Sequence, residues 1–119
     1  MTEAALAPAR QQFCDHVRAH WAALGGNEPD ADAANRHLHA ADGLVEQWAA
    51  QGTARDILLP LLADADAQIR WAAASYLLRN GAAAAAQTEL EALADNDGIG
   101  LVASSAEAVL MAWEQEGRR

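Results

Sequence analysis

The fold is decided by one short stretch of the chain, Gln68-Ile-Arg-Trp-Ala-Ala-Ala-Ser-Tyr-Leu-Leu-Arg-Asn-Gly81. It follows the acidic turn Asp64-Ala-Asp66 and ends at a glycine, which are typical start and stop signals of a helix. Alanines stand where a helix usually carries large apolar residues. Because alanine favours the helix and is small, it lets neighbouring helix axes approach closely. The stretch therefore predicts a thin helix that packs against neighbours on two sides.

Periodicity and turn residues predict five more helices around this one, and no strand. Pro60 is expected to kink the third helix, because proline lacks a backbone N–H. Gly43 is expected to loosen the second. The predicted helices cover residues 8–24, 30–50, 54–63, 67–80, 82–94 and 98–116. The sequence thus predicts a single all-α domain over residues 1–119.

Composition limits the classes of partner. Of 119 residues, 52% are hydrophobic but only 5% aromatic, so alanine supplies much of the apolar content. Eight basic and seventeen acidic residues give a net charge of -9. A nucleic-acid-binding domain needs a basic face, so we expect no nucleic-acid partner. An acidic surface suits a basic protein partner instead.

The sequence contains no recognisable targeting or membrane signal. Cys14 is the single cysteine, so no internal disulfide is expected. The N-terminus lacks a charged start followed by an apolar run, and no apolar run is long enough to span a bilayer. We expect a cytoplasmic protein without a membrane partner.

A weak internal repeat organises the second half of the chain. Ile69 and Val102 lie 33 positions apart (102 − 69 = 33), and the same offset relates Ala73 to Ala106 and Leu77 to Leu110. A repeat of this length formed by two helices is typical of a helical solenoid. We therefore expect three stacked helical hairpins, whose second helices line one face.

The same region resembles the HEAT repeat. The residues that carry the resemblance are Leu58-Leu-Pro-Leu-Leu62, Asp64-Ala-Asp66, Ile69-Arg70, Ala73-Ala74 and Leu77-Leu78. They follow the pattern of a first helix with proline, an acidic turn, and then a second helix with Ile-Arg, paired alanines and leucine. The match is looser from residue 82 onward, where Ala103 stands in place of Arg70.

The chain also resembles a small bacterial family of unknown function with a HEAT/armadillo-like fold. The resemblance rests on Asn35-Arg36 and on a C-terminal run of Gly100, Ala106, Leu110, Trp113 and Gly117. Small domains of this kind occur among bacterial toxin-immunity proteins and other interaction proteins. The resemblance therefore implies a protein-binding function.

Histidines raise the possibility of a metal site. His16 and His20 lie four residues apart on the first predicted helix, beside Cys14 and Asp15. Two imidazoles at that spacing can share zinc. Since Arg18 lies between them and no metalloprotease glutamate follows, we expect solvated or half-buried side chains and no metal or other cofactor. A metal-dependent or enzymatic factor built on His16 and His20 is the alternative function.

The paired carboxylates have a structural interpretation. Asp64 and Asp66 precede the fourth helix, and Asp95 and Asp97 precede the sixth, where acids cap helix N-termini. Arg70 is expected to pair with Asp64 or Asp97 and so to stabilise the fold. No catalytic motif is recognisable, and we expect no enzymatic activity.

The tryptophans divide between the predicted core and a possible surface. Trp21, Trp48 and Trp113 lie on apolar stripes and are expected in the core. Trp71 lies off the centre of its stripe. It either packs on the neighbouring hairpin or is an exposed anchor for a partner, because tryptophan is common among interface hot spots.

These observations predict a protein-binding face on the second helices. The main hypothesis is a cytoplasmic immunity or antitoxin-like protein that occludes a basic toxin, and a regulatory adaptor for an endogenous partner is a further alternative. The predicted partner-binding residues combine apolar and acidic side chains; they are Asn35, His39, Asp42, Glu46, Trp71, Ser75, Leu78, Glu107, Met111 and Glu114.

Overall fold

The computed structural model describes residues 3–117, and this part of the chain is helical, with no strand. The α-helices are α1 (Glu3–Leu24), α2 (Ala31–Gln51), α3 (Ala54–Leu58), α4 (Ala67–Leu77), α5 (Ala83–Ala94) and α6 (Leu101–Gly117). Short 3-10 helices cover Leu59–Ala63 and Asp97–Ile99. The all-α prediction is confirmed. No helix among these residues is long and apolar enough to cross a membrane.

The chain divides into two compact units. The N-terminal unit is Met1–Ile57 and the C-terminal unit is Leu58–Arg119. The boundary falls at the end of α3. The stacking of three hairpins into a solenoid remains a prediction.

The N-terminal unit is built on a hairpin of α1 and α2. Asp30 caps α2, since its side chain accepts a hydrogen bond from the Ala33 N–H at 3.0 Å. Gly52 ends the helix with φ = 75°, a left-handed conformation that favours glycine. Gly43 is exposed and leaves α2 continuous. Gly43 therefore does not interrupt the helix, and one glycine in a helix interior costs only about 0.5–1 kcal/mol relative to alanine.

Apolar side chains of both helices form the core of the hairpin. The buried ones are Leu6, Phe13, Cys14, Val17 and Trp21 on α1, and Ala34, Ala41, Val45 and Trp48 on α2. The rings of Phe13 and Trp48 are tilted by 56° with centroids 6.0 Å apart. This aromatic pair and the aliphatic side chains around it pack α1 against α2.

Arg10 fastens α1 to the end of α3 within the same unit. Its Nε donates to the Ile57 carbonyl at 2.8 Å, and its Nη2 donates to the Asp56 carbonyl at 3.3 Å. Its other contact is an ion pair with Glu3. The hydrogen bond from Arg10 lowers the pKa of the Glu3 carboxyl below its usual value.

Pro60 divides the third predicted helix into two elements. The α-helix stops at Leu58, and a 3-10 helix continues over Leu59–Ala63 with Pro60 in its first turn. Proline cannot donate the hydrogen bond that an α-helix needs there, but it is tolerated at a helix start. The expected kink is therefore a change of helix type.

Helix α4 lies inside the C-terminal unit, where it packs against the Leu59–Ala63 segment, α5 and α6. Asp66 caps it by accepting from the Gln68 N–H at 2.9 Å. Its buried residues are Ile69, Trp71, Ala72, Ala73, Ala74 and Leu77. Since alanines fill the middle of this set, neighbouring helices can approach α4 closely, as the sequence predicts.

The ion pair predicted for Arg70 exists with a different partner. Arg70 Nε donates to Glu89 Oε1 of α5 at 2.8 Å, and Nη1 donates to the backbone carbonyl of Asp64 at 2.7 Å. The prediction that the carboxylate of Asp64 or Asp97 pairs with Arg70 was wrong. Asp64 instead accepts from the Asp66 N–H at 2.8 Å, and Asp97 lies exposed in the first turn of a 3-10 helix.

Candidate functional site

The outer face of α6 carries apolar side chains that the protein leaves exposed. Leu101 is 64% exposed and Met111 is 54% exposed, and these are the exposed large hydrophobic residues of the described chain. Ala108 and Ala112 are also exposed on this helix. Their spacing places all four on one side of α6, which also carries the exposed Ser104 and faces away from the buried Ala106.

Acidic residues border this apolar stripe. Glu107 and Glu114 are exposed and lie seven residues apart, two helical turns, on one edge of it. Neither has a basic partner within ion-pair distance among residues 3–117. Apolar surface beside uncompensated carboxylates is the combination expected of a face that binds a basic partner.

A small cleft opens at the C-terminal end of the same helix. It is lined by Gln87 of α5 and by Trp113, Glu114, Glu116 and Gly117 of α6, and its volume is about 330 Å³. Arg79, which follows α4, borders the indole: its Cζ lies 5.6 Å from the centroid of the Trp113 ring. Arg79 also forms an ion pair with Glu116.

The predicted residues of α6 are therefore on the surface, and those of α4 are not. Glu107, Met111 and Glu114 are exposed. Trp71 and Leu78 are buried, which corrects their assignment as partner-binding residues. Helix α4 is apolar on most sides, so its helical pattern does not reveal an outer face, and both side chains pack inside.

Ser75, another predicted partner-binding residue of α4, forms a hydrogen bond within its own helix. It is half-buried, and its hydroxyl donates to the Trp71 carbonyl at 2.7 Å. This bond to the residue four positions earlier is a common use of serine within a helix. The hydroxyl of Ser75 is thus hydrogen-bonded to the backbone of α4.

The predicted residues of α2 lie in the N-terminal unit. Asn35, His39 and Glu46 are exposed, and Asp42 is half-buried. Because these four residues recur at steps of four and three, they lie on one side of α2. Their role in binding remains a prediction.

One overturned expectation and three missed residues change the composition of the site. Trp113, expected in the core, is half-buried and lines the cleft. Leu101 was missed, although its spacing of seven to Ala108 and ten to Met111 marks the same helix side. Arg79 and Glu116 were also missed, because no sequence pattern connects residues 37 apart on different elements.

The histidines are arranged differently from the predicted pair. His20 is buried, and its Nδ1 lies 2.8 Å from the Ala34 carbonyl, so this nitrogen carries the proton and donates it. His16 Nδ1 lies 3.4 Å from His37 Nδ1 of α2. The described residues contain no group of three or more His, Cys, Asp or Glu placed to hold a metal ion.

Comparison with known proteins adds no relative: no family model, curated protein or solved structure matches this chain.

Proposed function

We propose that this chain is a non-enzymatic protein-binding module whose partner is a basic protein. The observation that supports the proposal most directly is the outer face of α6, where Leu101 and Met111 are exposed beside Glu107 and Glu114. In its most concrete form, the protein is a cytoplasmic immunity or antitoxin-like protein that covers the active site of a basic toxin.

The energetics of such a face are favourable for binding. Complete burial of a leucine or methionine side chain contributes roughly 1.5–3 kcal/mol each. The carboxylates of Glu107 and Glu114 attract a basic surface and accelerate encounter, and the net charge of -9 acts in the same direction. The apolar stripe therefore supplies affinity and the acids supply rate and selectivity.

The fold proposed for this function is a short HEAT/armadillo-like solenoid of three hairpins. The sequence repeat and the HEAT-like residues 58–78 support it, together with the packing of α4 on the 3-10 segment and of α5 on α6. Helical repeats of this type offer extended surfaces for protein partners.

The test of the proposed function uses the products of the genes adjacent to the one that encodes this chain. Each product is expressed with the wild-type chain, and binding and protection from toxicity are measured. We expect a basic product to bind and Leu101→Glu/Met111→Glu to weaken its binding at least about 30-fold, which corresponds to about 2 kcal/mol.

The matched control is Ala84→Glu/Ala85→Glu, which adds the same charge to exposed positions of α5. It should bind as the wild type does. If no adjacent product binds, or if the α6 variant and the α5 control bind equally well, the proposed function or its assignment to α6 is wrong.

Association kinetics test the role of the acids separately. Charge reversal at Glu107 and Glu114 should slow association and flatten its dependence on salt, because steering by exposed charges is screened by ions. An unchanged association rate would remove Glu107 and Glu114 from the interface.

A further inference from the structure

The cleft at the end of α6 has the composition of a site for a cationic group. Its lining combines the half-buried indole of Trp113 with the exposed carboxylates of Glu114 and Glu116. The volume of about 330 Å³ lies at the lower limit of small-molecule sites, which span roughly 300–1,000 Å³. It suits one long side chain better than a larger ligand.

The chain itself already places a guanidinium against this lining. Arg79 Cζ lies 5.6 Å from the Trp113 ring centroid, within the range of a cation–π contact. Arg79 Nη2 is also within hydrogen-bonding distance of both carboxylate oxygens of Glu116. The indole and the carboxylate are therefore complementary to a planar cation.

The ion pair that holds Arg79 over Trp113 is exposed and weak, so another cation can displace the Arg79 guanidinium. The side chains of Arg79 and Glu116 are 54% and 49% exposed, and exposed ion pairs contribute little to stability. Glu114 adds a second carboxylate to the cleft, with no basic partner within ion-pair distance among residues 3–117. Counted over residues 3–117, the two carboxylates of the cleft and the Arg79 guanidinium leave a net negative charge.

We infer that this cleft receives the guanidinium of an arginine from the protein partner, which takes the place of Arg79 over Trp113. The inference rests on the proposed protein-binding function and specifies the group that the partner inserts. An arginine is favoured over a lysine because a planar guanidinium can stack on the indole while it donates two hydrogen bonds to a carboxylate. Arg79 then acts as an internal competitor in the free protein.

The test needs no partner, because N-acetyl-arginine amide carries the proposed group. It is titrated into the full chain while the indole N–H signal of Trp113 is followed by NMR, assigned through its loss in Trp113→Phe. We expect a saturable shift of this signal. N-acetyl-citrulline amide, the neutral isostere, should give none, and N-acetyl-lysine amide should bind more weakly.

Three variants separate the contributions to binding. Arg79→Ala should tighten arginine-amide binding about twofold to fivefold, because the competitor is gone. Glu114→Gln/Glu116→Gln should weaken it at least about fivefold. Arg55→Ala is the control for Arg79→Ala, because it removes one positive charge at an exposed position of α3. It should leave arginine-amide binding unchanged.

Several results would overturn the inference. They are the absence of a shift in both the wild type and Arg79→Ala, equal binding of the citrulline probe, and weaker binding in Arg79→Ala. If Arg79→Ala increased the affinity for the lysine and arginine probes equally, the cleft would recognise positive charge and not a guanidinium. That result would also overturn the inference. Melting temperatures of the variants confirm that the fold is retained.

The outcomes distinguish this inference from the proposed function. If the arginine probe fails while an adjacent gene product still binds through Leu101 and Met111, the cleft assignment is wrong and the function stands. If the probe binds as expected while no gene product does, the cleft assignment stands and the function fails.

Discussion

Helices α4 and α6 have similar sequences and different environments. Both are rich in alanine and apolar residues, and the 33-residue repeat makes them equivalent. In α4, six of eleven residues are buried, whereas in α6 only three of seventeen are. Composition therefore does not explain the difference in burial. The elements that pack against each helix explain it.

Equivalent positions show the contrast directly. Leu78 is 3% exposed, and its repeat equivalent Met111 is 54% exposed. Leu77 is buried, and Leu110 is half-buried. Helix α4 packs against the 3-10 segment, α5 and α6, while α6 leaves its outer face uncovered within the C-terminal unit. The comparison teaches that α4 buries its apolar residues against its neighbours, whereas α6 leaves some of its apolar residues exposed to solvent.

The largest effect on stability is expected at the tryptophans. Trp71→Ala should reduce the free energy of unfolding by about 3–5 kcal/mol, because it removes a large buried side chain from α4. Trp113→Ala should cost only about 1 kcal/mol, since that indole is half-buried. Urea denaturation followed by far-UV circular dichroism measures both.

These expected losses follow from a buried Trp71, one of the two alternatives that the sequence leaves open, and from a half-buried Trp113, which the sequence places in the core. Equal losses would show that α6 is as tightly packed as α4, and the comparison would fail. Trp71→Phe is the control, because it retains most of the apolar volume and should lose less than the alanine variant.

A smaller effect is expected at the equivalent aliphatic positions. Leu78→Ala should cost about 2–4 kcal/mol, and Met111→Ala should stay within about 0.5 kcal/mol of the wild type. The physical reason is that only Leu78 leaves a cavity when it is shortened. A loss of more than about 1 kcal/mol in the Met111 variant would contradict its assignment to an uncovered face.

The ion pairs of the two helices provide a third comparison. Arg70→Ala should cost about 1–2 kcal/mol, because Arg70 and Glu89 are each only 24% exposed and Arg70 also bonds the Asp64 carbonyl. Arg79→Ala should cost less than about 1 kcal/mol, since its pair with Glu116 is much more exposed. Thermal and urea unfolding distinguish the two outcomes.

The smallest expected effect concerns metal. A chelator should leave the thermal midpoint of the purified protein unchanged, and metal analysis should find no stoichiometric zinc. If the chelator lowered the midpoint and zinc restored it, a metal would contribute directly to folding. The stability differences between α4 and α6 would then not reflect packing alone.

The candidate site was only partly predictable from the sequence. The exposure of Glu107, Met111 and Glu114 was predictable, because α6 has a clear buried stripe and the opposite side follows from helical spacing. Trp71 and Leu78 were misplaced, because α4 is apolar on most sides and periodicity does not identify an outer face. The role of Trp113 in the cleft depends on Arg79 and Gln87, which belong to other elements.

The sequence by itself determined the six α-helices of residues 3–117 and several of their ends, since caps, glycines and apolar spacing act within a few residues of one another. It also determined the acidic charge and the alanine-rich composition that lets helices approach closely. Only the tertiary structure decided that Arg70 pairs with Glu89 and that Trp71 and Leu78 are buried. The physical reason is that spacing defines the faces of a single helix, whereas burial and pairing depend on what packs against each face.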